Sequence, residues 1–357
     1  MTAIPVTLLT GFLGAGKTTL LNRILENPDF HDTALIINEF GLVPVDHDLV
    51  RQGRERPVVT TTGCICCTAG SDLRSSFGDL LSGRRDGSLP PFSRVIVETT
   101  GLADPAPILN SLIPGGMRAL SLRDHAVARA FRLSSVIAVV DVEGIGAVLD
   151  THPESLRQIA FADHAVLTRT DVAPAGDWPD RLRAINPALR LHDATAADFD
   201  PACLMTPGSY SAFGKGEGAE AWLAAGPAHD HGTGGHFHDL NRHGDVRAIA
   251  LTHDEPVDLG ALRRFLAELT ATPDNGLLRI KGLVAVRDDP ASPALVHAVQ
   301  HRLYPVARLE GWPGGQAGTR LVVIGTHLDA AAIRRDFDAL SDRRQPFRLA
   351  AWLRGGS

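Results

Sequence analysis

A glycine-rich run at residues 11–18 constrains the fold of this chain more than any other segment. The run reads Gly-Phe-Leu-Gly-Ala-Gly-Lys-Thr and lies between an apolar, β-branched segment (Ile4–Thr10) and a helical pattern (Lys17–Glu26). A strand, a glycine loop and a helix in this order are typical of a phosphate-binding loop (P-loop), where backbone N–H groups and the helix N-terminus surround phosphate oxygens. The sequence therefore predicts an α/β domain that binds a nucleotide.

Three side chains and one glycine supply the chemistry predicted for this loop. Lys17 would reach the β- and γ-phosphates, and the Thr18 hydroxyl would bind Mg²⁺. Glu98 ends a second apolar strand and would hold the same ion, while the N–H of Gly101 would point toward the γ-phosphate. The remaining phosphate contacts are assigned to Gly11, Gly14, Ala15, Gly16 and Thr19.

Short apolar runs alternate with helical patterns over roughly the first 200 residues. Further strands are predicted at Ala34–Asn38, Arg94–Glu98, Ser134–Asp141, Ala165–Thr168 and Leu189–His192. Further helices are predicted at Ser71–Leu81, Pro105–Leu112, Ser121–Phe131, Pro153–Phe161 and Asp177–Ile185. Strands that alternate with helices imply right-handed crossovers, so the predicted fold is a doubly wound, mostly parallel sheet.

The pattern changes after residue 206. Residues 207–244 are rich in glycine, alanine and histidine and are predicted to form a linker or loop. Beyond them, strands are predicted at Val246–Thr252, Leu277–Val286, Leu295–Val299, Tyr304–Leu309 and Arg320–Gly325, and helices at Asp258–Leu269 and Asp329–Leu340. We therefore expect a nucleotide domain (1–206) and a second, smaller α+β domain (245–357) with an antiparallel sheet.

The composition excludes several classes of protein. The 357 residues are 44% hydrophobic and carry a net charge of −6, which suits a globular core and argues against a broad nucleic-acid surface. There are only four cysteines, three of them nearly adjacent, so no disulfide framework is expected. The first residues lack a leader pattern, and no apolar run is long enough to cross a membrane. We expect a cytoplasmic protein without nucleic-acid or membrane partners.

The cysteine cluster Cys64, Cys66 and Cys67 predicts a metal site. Three thiolates around a soft or borderline cation such as Zn²⁺ leave one tetrahedral position open, through which the ion can be exchanged. A redox pair formed by Cys64 and Cys67 has the C-x-x-C spacing, but it gives Cys66 no role. Burial of all three as apolar side chains is the other alternative. The distant Cys203 is expected to lie in the core.

Five of the 15 histidines lie between residues 229 and 243, in the predicted linker. Clustered imidazoles separated by glycines bind Zn²⁺, Co²⁺ or Ni²⁺, and the alternative is an ordinary polar linker. We expect weak, exchangeable binding that supplies the cysteines rather than one ordered site. The candidate ligands are His229, His231, His236 and His238.

These motifs together resemble those of the CobW-type P-loop GTPases, a family of metallochaperones that includes zinc chaperones and cobalamin-pathway members. The similar segments are residues 11–18, 37–41, 63–67, 98–105 and 278–282. The resemblance implies that the P-loop binds GTP and Mg²⁺ and that the thiolates bind a transported ion, Zn²⁺ or Co²⁺. It also implies that Glu39 lies in a nucleotide-sensing loop and contacts magnesium or the transported metal.

The resemblance further implies a GTP-dependent chaperone that delivers the ion to a client metalloenzyme or a cofactor-biosynthesis protein. Such a client would dock on the second domain, and a homodimer is compatible with this role. Two other functions stay open on the residues alone. One is a P-loop kinase that acts on a small molecule, and the other is a non-catalytic zinc buffer or sensor.

One segment departs from the family pattern. Guanine is usually read by an Asn/Ser/Thr-Lys-x-Asp stretch after the fifth strand, and here the stretch is Thr-Arg-Thr-Asp at residues 168–171. Asp171 can still accept hydrogen bonds from the guanine N1–H and exocyclic amine, and the flat guanidinium of Arg169 can stack over the base. GTP is therefore the expected nucleotide, with its base bound by Thr168, Arg169 and Asp171.

Overall fold

A computed structural model describes residues 3–38, 58–62, 71–112, 122–205, 246–271, 275–313 and 317–341 of the chain. The chain divides into two compact units, each of which is considered by itself. In the part of the chain so described, no helix is long and apolar enough to cross a membrane.

The first unit is built on a parallel sheet in which seven strands are described. They are β1 (Ile4–Gly11), β2 (Thr33–Asn38), β3 (Val58–Thr62), β4 (Arg94–Glu98), β5 (Phe131–Asp141), β6 (His164–Thr168) and β7 (Arg190–Asp193). Their order across the sheet is β3-β2-β4-β1-β5-β6-β7, and each of these pairings is parallel. The strand that precedes the P-loop is therefore the central one, with a parallel neighbour on each edge.

The described helices of this unit connect the strands. They are α1 (Lys17–Leu25), α2 (Ser71–Asp86), α3 (Pro105–Leu112), α4 (Leu122–Ala130), α5 (Ile145–Thr151), α6 (Pro153–Phe161) and α7 (Trp178–Ile185). The chain runs from β1 outward to β3, returns to β4 and then continues in the opposite direction to β7. Because parallel crossovers are right-handed, this reversal places helices on both faces of the sheet. The predicted doubly wound α/β fold is confirmed.

A hydrophobic core between the sheet and α1 fixes the base of the P-loop. Leu21 and Ile24 of α1 are fully buried and belong to the same cluster as Leu9, Leu35 and Ile137 of the strands. Strands of a parallel sheet are buried on both faces, which explains why these runs are almost continuously apolar. The carboxyl ends of β1, β4, β5 and β6 therefore meet at one edge, and the predicted functional segments follow at that edge.

Two elements of this unit were not predicted. The strand β3 is short and carries three threonines, so its sequence lacks a strong apolar signal; among the described strands it pairs with β2 alone. The helix α5 has seven residues and contains Gly146, which weakens its helical pattern. Several element boundaries also differ. The strand β5 begins at Phe131 rather than Ser134, and Phe131 pairs with Ile4 of β1, while α2 ends at Asp86 rather than Leu81.

The second unit is an antiparallel sheet with two described helices. Its strands are β8 (Val246–His253), β9 (Leu277–Val284), β10 (Ala294–Val299), β11 (Arg302–Leu303), β12 (Ala307–Arg308) and β13 (Thr319–Thr326), and its helices are α8 (Leu259–Leu269) and α9 (Ala330–Asp338). The order is β11-β10-β9-β13-β8, with β12 also paired to β10. Phe265 of α8 and Phe337 of α9 pack together over Ile280 and Val323 of the sheet. The expected smaller α+β domain is confirmed.

The strand predicted at Tyr304–Leu309 is wrong in its extent. Two strands of two residues each, β11 and β12, flank Pro305 and pair separately with β10. Proline has no N–H to donate to a sheet, and at Pro305 the pairing with β10 is interrupted. The predicted domain boundaries at 206 and 245 stay predictions, and residues 207–244 lie outside the described part of the chain.

Candidate functional site

Three glycines give the P-loop a backbone conformation that other residues rarely adopt. Gly11, Gly14 and Gly16 have φ angles of 138°, 74° and 97°, which side-chain-bearing residues rarely adopt. A Cβ added to Gly11 would lie 2.4 Å from the carbonyl oxygen of Val139 in β5. The close approach of these two strands therefore requires glycine where β1 becomes the loop.

Lys17 lies inside the curve of the P-loop. Its side chain is 9% exposed, and its Nζ donates hydrogen bonds of 3.0 Å to the carbonyl oxygens of Gly11 and Phe12. Lys17 is also the first residue of α1, so its ammonium group and the helix N-terminus carry positive potential to the same place. This arrangement suits the binding of phosphate oxygens.

Thr18 and Glu98 are brought together from positions far apart in the sequence. The Thr18 hydroxyl donates a 2.9 Å hydrogen bond to Oε1 of Glu98, which is 4% exposed at the end of β4. Glu98 pairs in register with Leu9 of β1, and this pairing sets its side chain beside the P-loop. The oxygen atoms of a hydroxyl and a carboxylate are hard metal ligands, so the residues present fit a magnesium ion.

The loop after Glu98 packs directly on the P-loop. The backbone N–H and hydroxyl of Thr99 both donate to the carbonyl oxygen of Leu9, at 3.0 and 3.3 Å. A Cβ added to Gly101 would lie 2.3 Å from the backbone nitrogen of Leu13. Gly101 is therefore held against the phosphate-binding segment, as its predicted contact with a γ-phosphate requires.

The segment predicted to bind the base is also joined to the P-loop. The Thr168 hydroxyl donates to the carbonyl oxygen of Ala15 at 2.9 Å. The Arg169 guanidinium donates to Asp141 at 2.8 Å, to Glu143 at 3.4 Å and to the Gly14 carbonyl oxygen at 3.4 Å. Thr168 and Arg169 are thus placed beside the phosphate loop. The stacking of Arg169 on a base stays a prediction.

A second set of contacts holds the residue next to the exposed Asp171. The neighbouring Thr170 hydroxyl donates to Asp193 at 2.6 Å and also contacts Thr195. Partial burial acts to raise the pKa of Asp193, but hydrogen bonds from Thr170 and Thr195 outweigh it and lower that pKa. Asp193 therefore stays ionised and anchors the loop that carries Asp171.

Several residues of this site were missed by sequence reasoning. Asp141 ends a predicted strand at the edge of the sheet where the P-loop lies, and this position could have marked it as a site residue. Gln158, in the middle of α6, donates to the carbonyl oxygens of Gly101 and Ala103, and no motif marks it. Thr99 follows Glu98 directly within the motif at residues 98–105, and the sequence pattern assigns it no role of its own.

The predicted metal ligands lie outside the described residues. They are Glu39, Cys64, Cys66, Cys67, His229, His231, His236 and His238. In the ranges that the structure covers, no group of three or more histidine, cysteine, aspartate or glutamate residues is placed to hold a metal ion. The metal assignments therefore stay predictions.

Cys203, by contrast, is described. It is partly buried, and its Sγ lies 3.6 Å from Nδ1 of His192. Burial raises the pKa of this thiol, and the nearby Asp200 raises it further. The expectation that Cys203 packs at the core is consistent with its contact with the cluster around α1.

Two family profiles match the chain and together cover both units. The profile described as CobW/HypB/UreG, nucleotide-binding domain matches residues 5–193. The profile described as cobalamin synthesis protein cobW C-terminal domain matches residues 246–341. The first match contains the P-loop, Glu98 and the Thr168–Asp171 segment, so the geometry and the profile concern the same residues.

Individual relatives match over nearly the full length. The chain is 32% identical to a protein of Escherichia coli named zinc chaperone YjiA, over 95% of this chain and 99% of that protein. It is 29% identical to a Pseudomonas aeruginosa protein named zinc chaperone CobW, over 92% and 89% of the respective chains. A crystal structure of Zn(II)-bound YjiA GTPase superposes with a TM-score of 0.71 and 28% identity, covering 96% of this chain and all of that one. The chain belongs to the CobW/HypB/UreG family, with the CobW arrangement of a nucleotide-binding domain followed by a CobW C-terminal domain.

Proposed function

We propose that this protein is a GTPase that serves as a GTP-dependent zinc chaperone. The observation that carries the proposal is the contact between Thr18 and Glu98 next to Lys17, an arrangement that suits a nucleotide and a magnesium ion at the P-loop. Support for zinc comes from relatives of nearly equal length that are named zinc chaperones. A fission-yeast relative that aligns with 47% of this chain is named a zinc-regulated GTPase metalloprotein activator.

Hydrolysis in this proposal is attack of a water molecule on the γ-phosphate. Lys17 neutralises charge on the β- and γ-phosphates, and the N–H of Gly101 orients the terminal phosphate. Mg²⁺ held by Thr18 and Glu98 would neutralise the charge that develops on the phosphate oxygens. Thr168 and Asp171 hold the guanine base, since a carboxylate accepts from both guanine N–H donors and adenine lacks that pair.

The transported ion is proposed to bind Cys64, Cys66 and Cys67, with Glu39 in reach of the nucleotide or the metal. Three thiolates favour Zn²⁺, and Co²⁺ fits the same tetrahedral geometry. His229, His231, His236 and His238 are proposed to capture the ion weakly and to pass it to the thiolates. The three cysteines lie in sequence between Glu39 and the strand that ends at Glu98, so a change in the γ-phosphate contacts can act on them.

The client is proposed to be a metalloenzyme or a cofactor-biosynthesis protein that docks on the second unit. Docking would promote hydrolysis, and loss of the γ-phosphate would then loosen the thiolate site and release the ion. A homodimer is compatible with this cycle.

The proposal is tested by titrating Zn²⁺ into the full-length protein against a chromophoric chelator. The titration is run with Mg²⁺ and a non-hydrolysable GTP analogue, with Mg²⁺ and GDP, and without nucleotide. We expect tighter zinc binding with the analogue, because a nucleotide shifts a second site only through differential affinity. Equal zinc affinity in all three would instead support a zinc buffer or sensor, and phosphate recovered on a small metabolite would support a kinase.

A matched pair of variants separates nucleotide effects from general charge effects. Lys17→Ala is expected to weaken nucleotide binding about 100-fold, the scale of a lost charge-assisted contact with phosphate. Arg183→Ala removes one positive charge from the exposed face of α7, where Arg183 pairs only with Asp180 in the described contacts. Nucleotide affinity should be unchanged in Arg183→Ala, and similar losses in both variants would contradict the assigned role of Lys17.

A further inference from the structure

The side chain of Gln158 is buried beneath the loop that follows Glu98. Gln158 is 2% exposed, and its Nε2 lies 3.0 Å from the carbonyl oxygen of Gly101 and 3.1 Å from that of Ala103. Both partners are carbonyl oxygens, which only accept hydrogen bonds, so the amide must present its two N–H donors to them. Neither an apolar side chain nor a carboxylate ion of the same size can make these two bonds.

The residue before it holds the same loop from outside. Arg157 donates to the Asp104 carboxylate at 2.8 Å, and Asp104 in turn accepts from the backbone N–H of Ala106 at the start of α3. Two successive residues of α6 thus fix the loop at Gly101, Ala103 and Asp104. The inner contact is buried and uncharged, and the outer one is a partly exposed ion pair that is screened by water.

The same helix reaches the P-loop at its beginning. The ring of His152, which directly precedes α6, lies 4.5 Å from the ring of Phe12, whose carbonyl oxygen accepts from Lys17. Gly101 packs on the backbone of Leu13, the next P-loop residue. The P-loop and the loop after Glu98 are therefore held against each other and against one helix.

We propose that Gln158 is a positioning residue for GTP, which fixes Gly101 so that its N–H meets the γ-phosphate. This inference rests on the proposed GTPase function, in which Gly101 contacts that phosphate. With its carbonyl oxygen held by Gln158 and its α-carbon against Leu13, Gly101 has its peptide groups oriented before nucleotide binds. GDP has no γ-phosphate, so its binding does not depend on this orientation. Gln158 therefore raises the affinity for GTP relative to the affinity for GDP.

Ser155, also on α6, offers a matched control. It is 2% exposed like Gln158, and both side chains line a cavity that Gly11 and Phe12 of the P-loop also border. Its hydroxyl has no hydrogen-bond partner among the described residues. Ser155→Ala therefore changes the same buried layer of α6 without removing a bond to the loop.

The experiment compares wild type, Gln158→Met, Gln158→Glu and Ser155→Ala in the full-length protein with Mg²⁺. Affinities for GDP and for a non-hydrolysable GTP analogue are measured by fluorescence, and GTP hydrolysis by phosphate release. In both Gln158 variants we expect analogue affinity and kcat to fall about tenfold, the effect of losing roughly one net hydrogen bond. GDP affinity should stay within about twofold, and Ser155→Ala should match wild type.

Equal loss of GDP and analogue affinity in a Gln158 variant that remains folded by circular dichroism would assign the residue a merely structural role and overturn the inference. Wild-type affinities for both GDP and the analogue in the Gln158 variants would overturn it as well. Gln158→Met keeps roughly the length of the side chain without burying a charge, so it decides the matter if Gln158→Glu does not fold. Absence of GTP hydrolysis in wild type would instead reject the proposed function, whatever the variants do.

Discussion

At the scale of single residues, the site depends on how closely backbone groups approach one another. Gly101 and Gly11 are the sharpest examples, because a Cβ on either would overlap backbone atoms of the neighbouring segment. Backbone atoms cannot move aside as a flexible side chain can. The requirement for glycine here is thus steric, and it lies in the contact between segments rather than in either segment alone.

The substitution Gly101→Ala tests this close approach. The added Cβ would lie 2.3 Å from the Leu13 nitrogen and 2.7 Å from its Cα, so the two loops must separate. We expect loss of GTP hydrolysis and a decrease of about 1–3 kcal/mol in the free energy of unfolding, the usual cost of overpacking.

Gly146→Ala is the control for that variant. Its Cβ would meet only the Trp178 ring, at an ordinary 3.4 Å, within helix α5. Alanine is favoured over glycine in helices by roughly 0.5–1 kcal/mol, so stability should hold or rise and hydrolysis should persist. Denaturant unfolding and phosphate release measure both effects, and full activity in Gly101→Ala would refute the steric argument.

Asp171→Asn tests whether the exposed carboxylate reads guanine. An asparagine side chain offers one donor and one acceptor, which matches xanthine, where an oxygen replaces the exocyclic amine. We expect affinity for GDP to fall and affinity for xanthosine diphosphate to rise by about 10- to 100-fold, since a bidentate contact to a base is worth about 1–3 kcal/mol.

Competition binding with both nucleotides gives the answer for Asp171. Asp198→Asn changes an exposed carboxylate after β7 and should leave the preference for guanine in place. Unaltered preference in Asp171→Asn would mean that the base is read by other residues, and the guanine assignment would fail.

At the scale of elements, β6, β7 and the turn at Pro201–Met205 meet through a chain of three side chains. Nδ1 of His164 lies 2.9 Å from Nε2 of His192, and the other ring nitrogen of His192 faces Cys203. Burial lowers the pKa of His192, and the nearby Arg190 lowers it further. A contact between two ring nitrogens needs one donor and one acceptor, so it cannot form when both rings carry a positive charge.

This contact predicts a dependence of stability on pH. Below the ordinary histidine pKa of about 6.5, the unfolded chain binds a proton at His192 that the folded chain does not. The free energy of unfolding should therefore fall as the pH drops below about 6.5, until the lowered folded-state pKa is passed.

The measurement is urea unfolding of wild type and His192→Gln between about pH 8 and pH 5. The variant lacks the titrating ring, so its free energy of unfolding should decline less over this range. Parallel declines in the two proteins would show that His192 contributes nothing to the pH dependence.

The elements that carry contiguous motifs could be predicted, and those made by packing could not. Lys17 and Thr18 follow β1 through the P-loop and Glu98 ends β4, so the edge where they meet is predicted by the strand pattern. Gln158 reaches Gly101 across 57 residues through the packing of α6, and no local pattern records that contact. The strand β3 was not predicted because its three threonines, at the edge of the described sheet, lack the apolar run by which buried parallel strands are recognised.

At the scale of the whole molecule, nucleotide and zinc are proposed to bias the same equilibrium. Linkage then demands reciprocity: if the GTP analogue tightens zinc binding about tenfold relative to GDP, zinc must raise the affinity ratio of analogue to GDP by the same factor. Measuring both factors on the full-length protein closes a thermodynamic cycle. The double variant Cys66→Ser, Cys67→Ser should abolish both factors while GDP binding persists. A zinc effect on nucleotide that survives in this variant would place the coupling at another metal site.

The central position of β1 has a consequence for how the protein is made. Its two neighbours, β4 and β5, are synthesised long after it, and the hydroxyl that bonds to Ala15 belongs to a residue 153 positions later. The phosphate loop therefore leaves the ribosome on a strand that has no partner to pair with. A ligand stabilises only the form that binds it, so nucleotide cannot assist folding until translation has passed Thr168. The early nascent chain must be kept from aggregating without help from the ligand that later stabilises the finished domain.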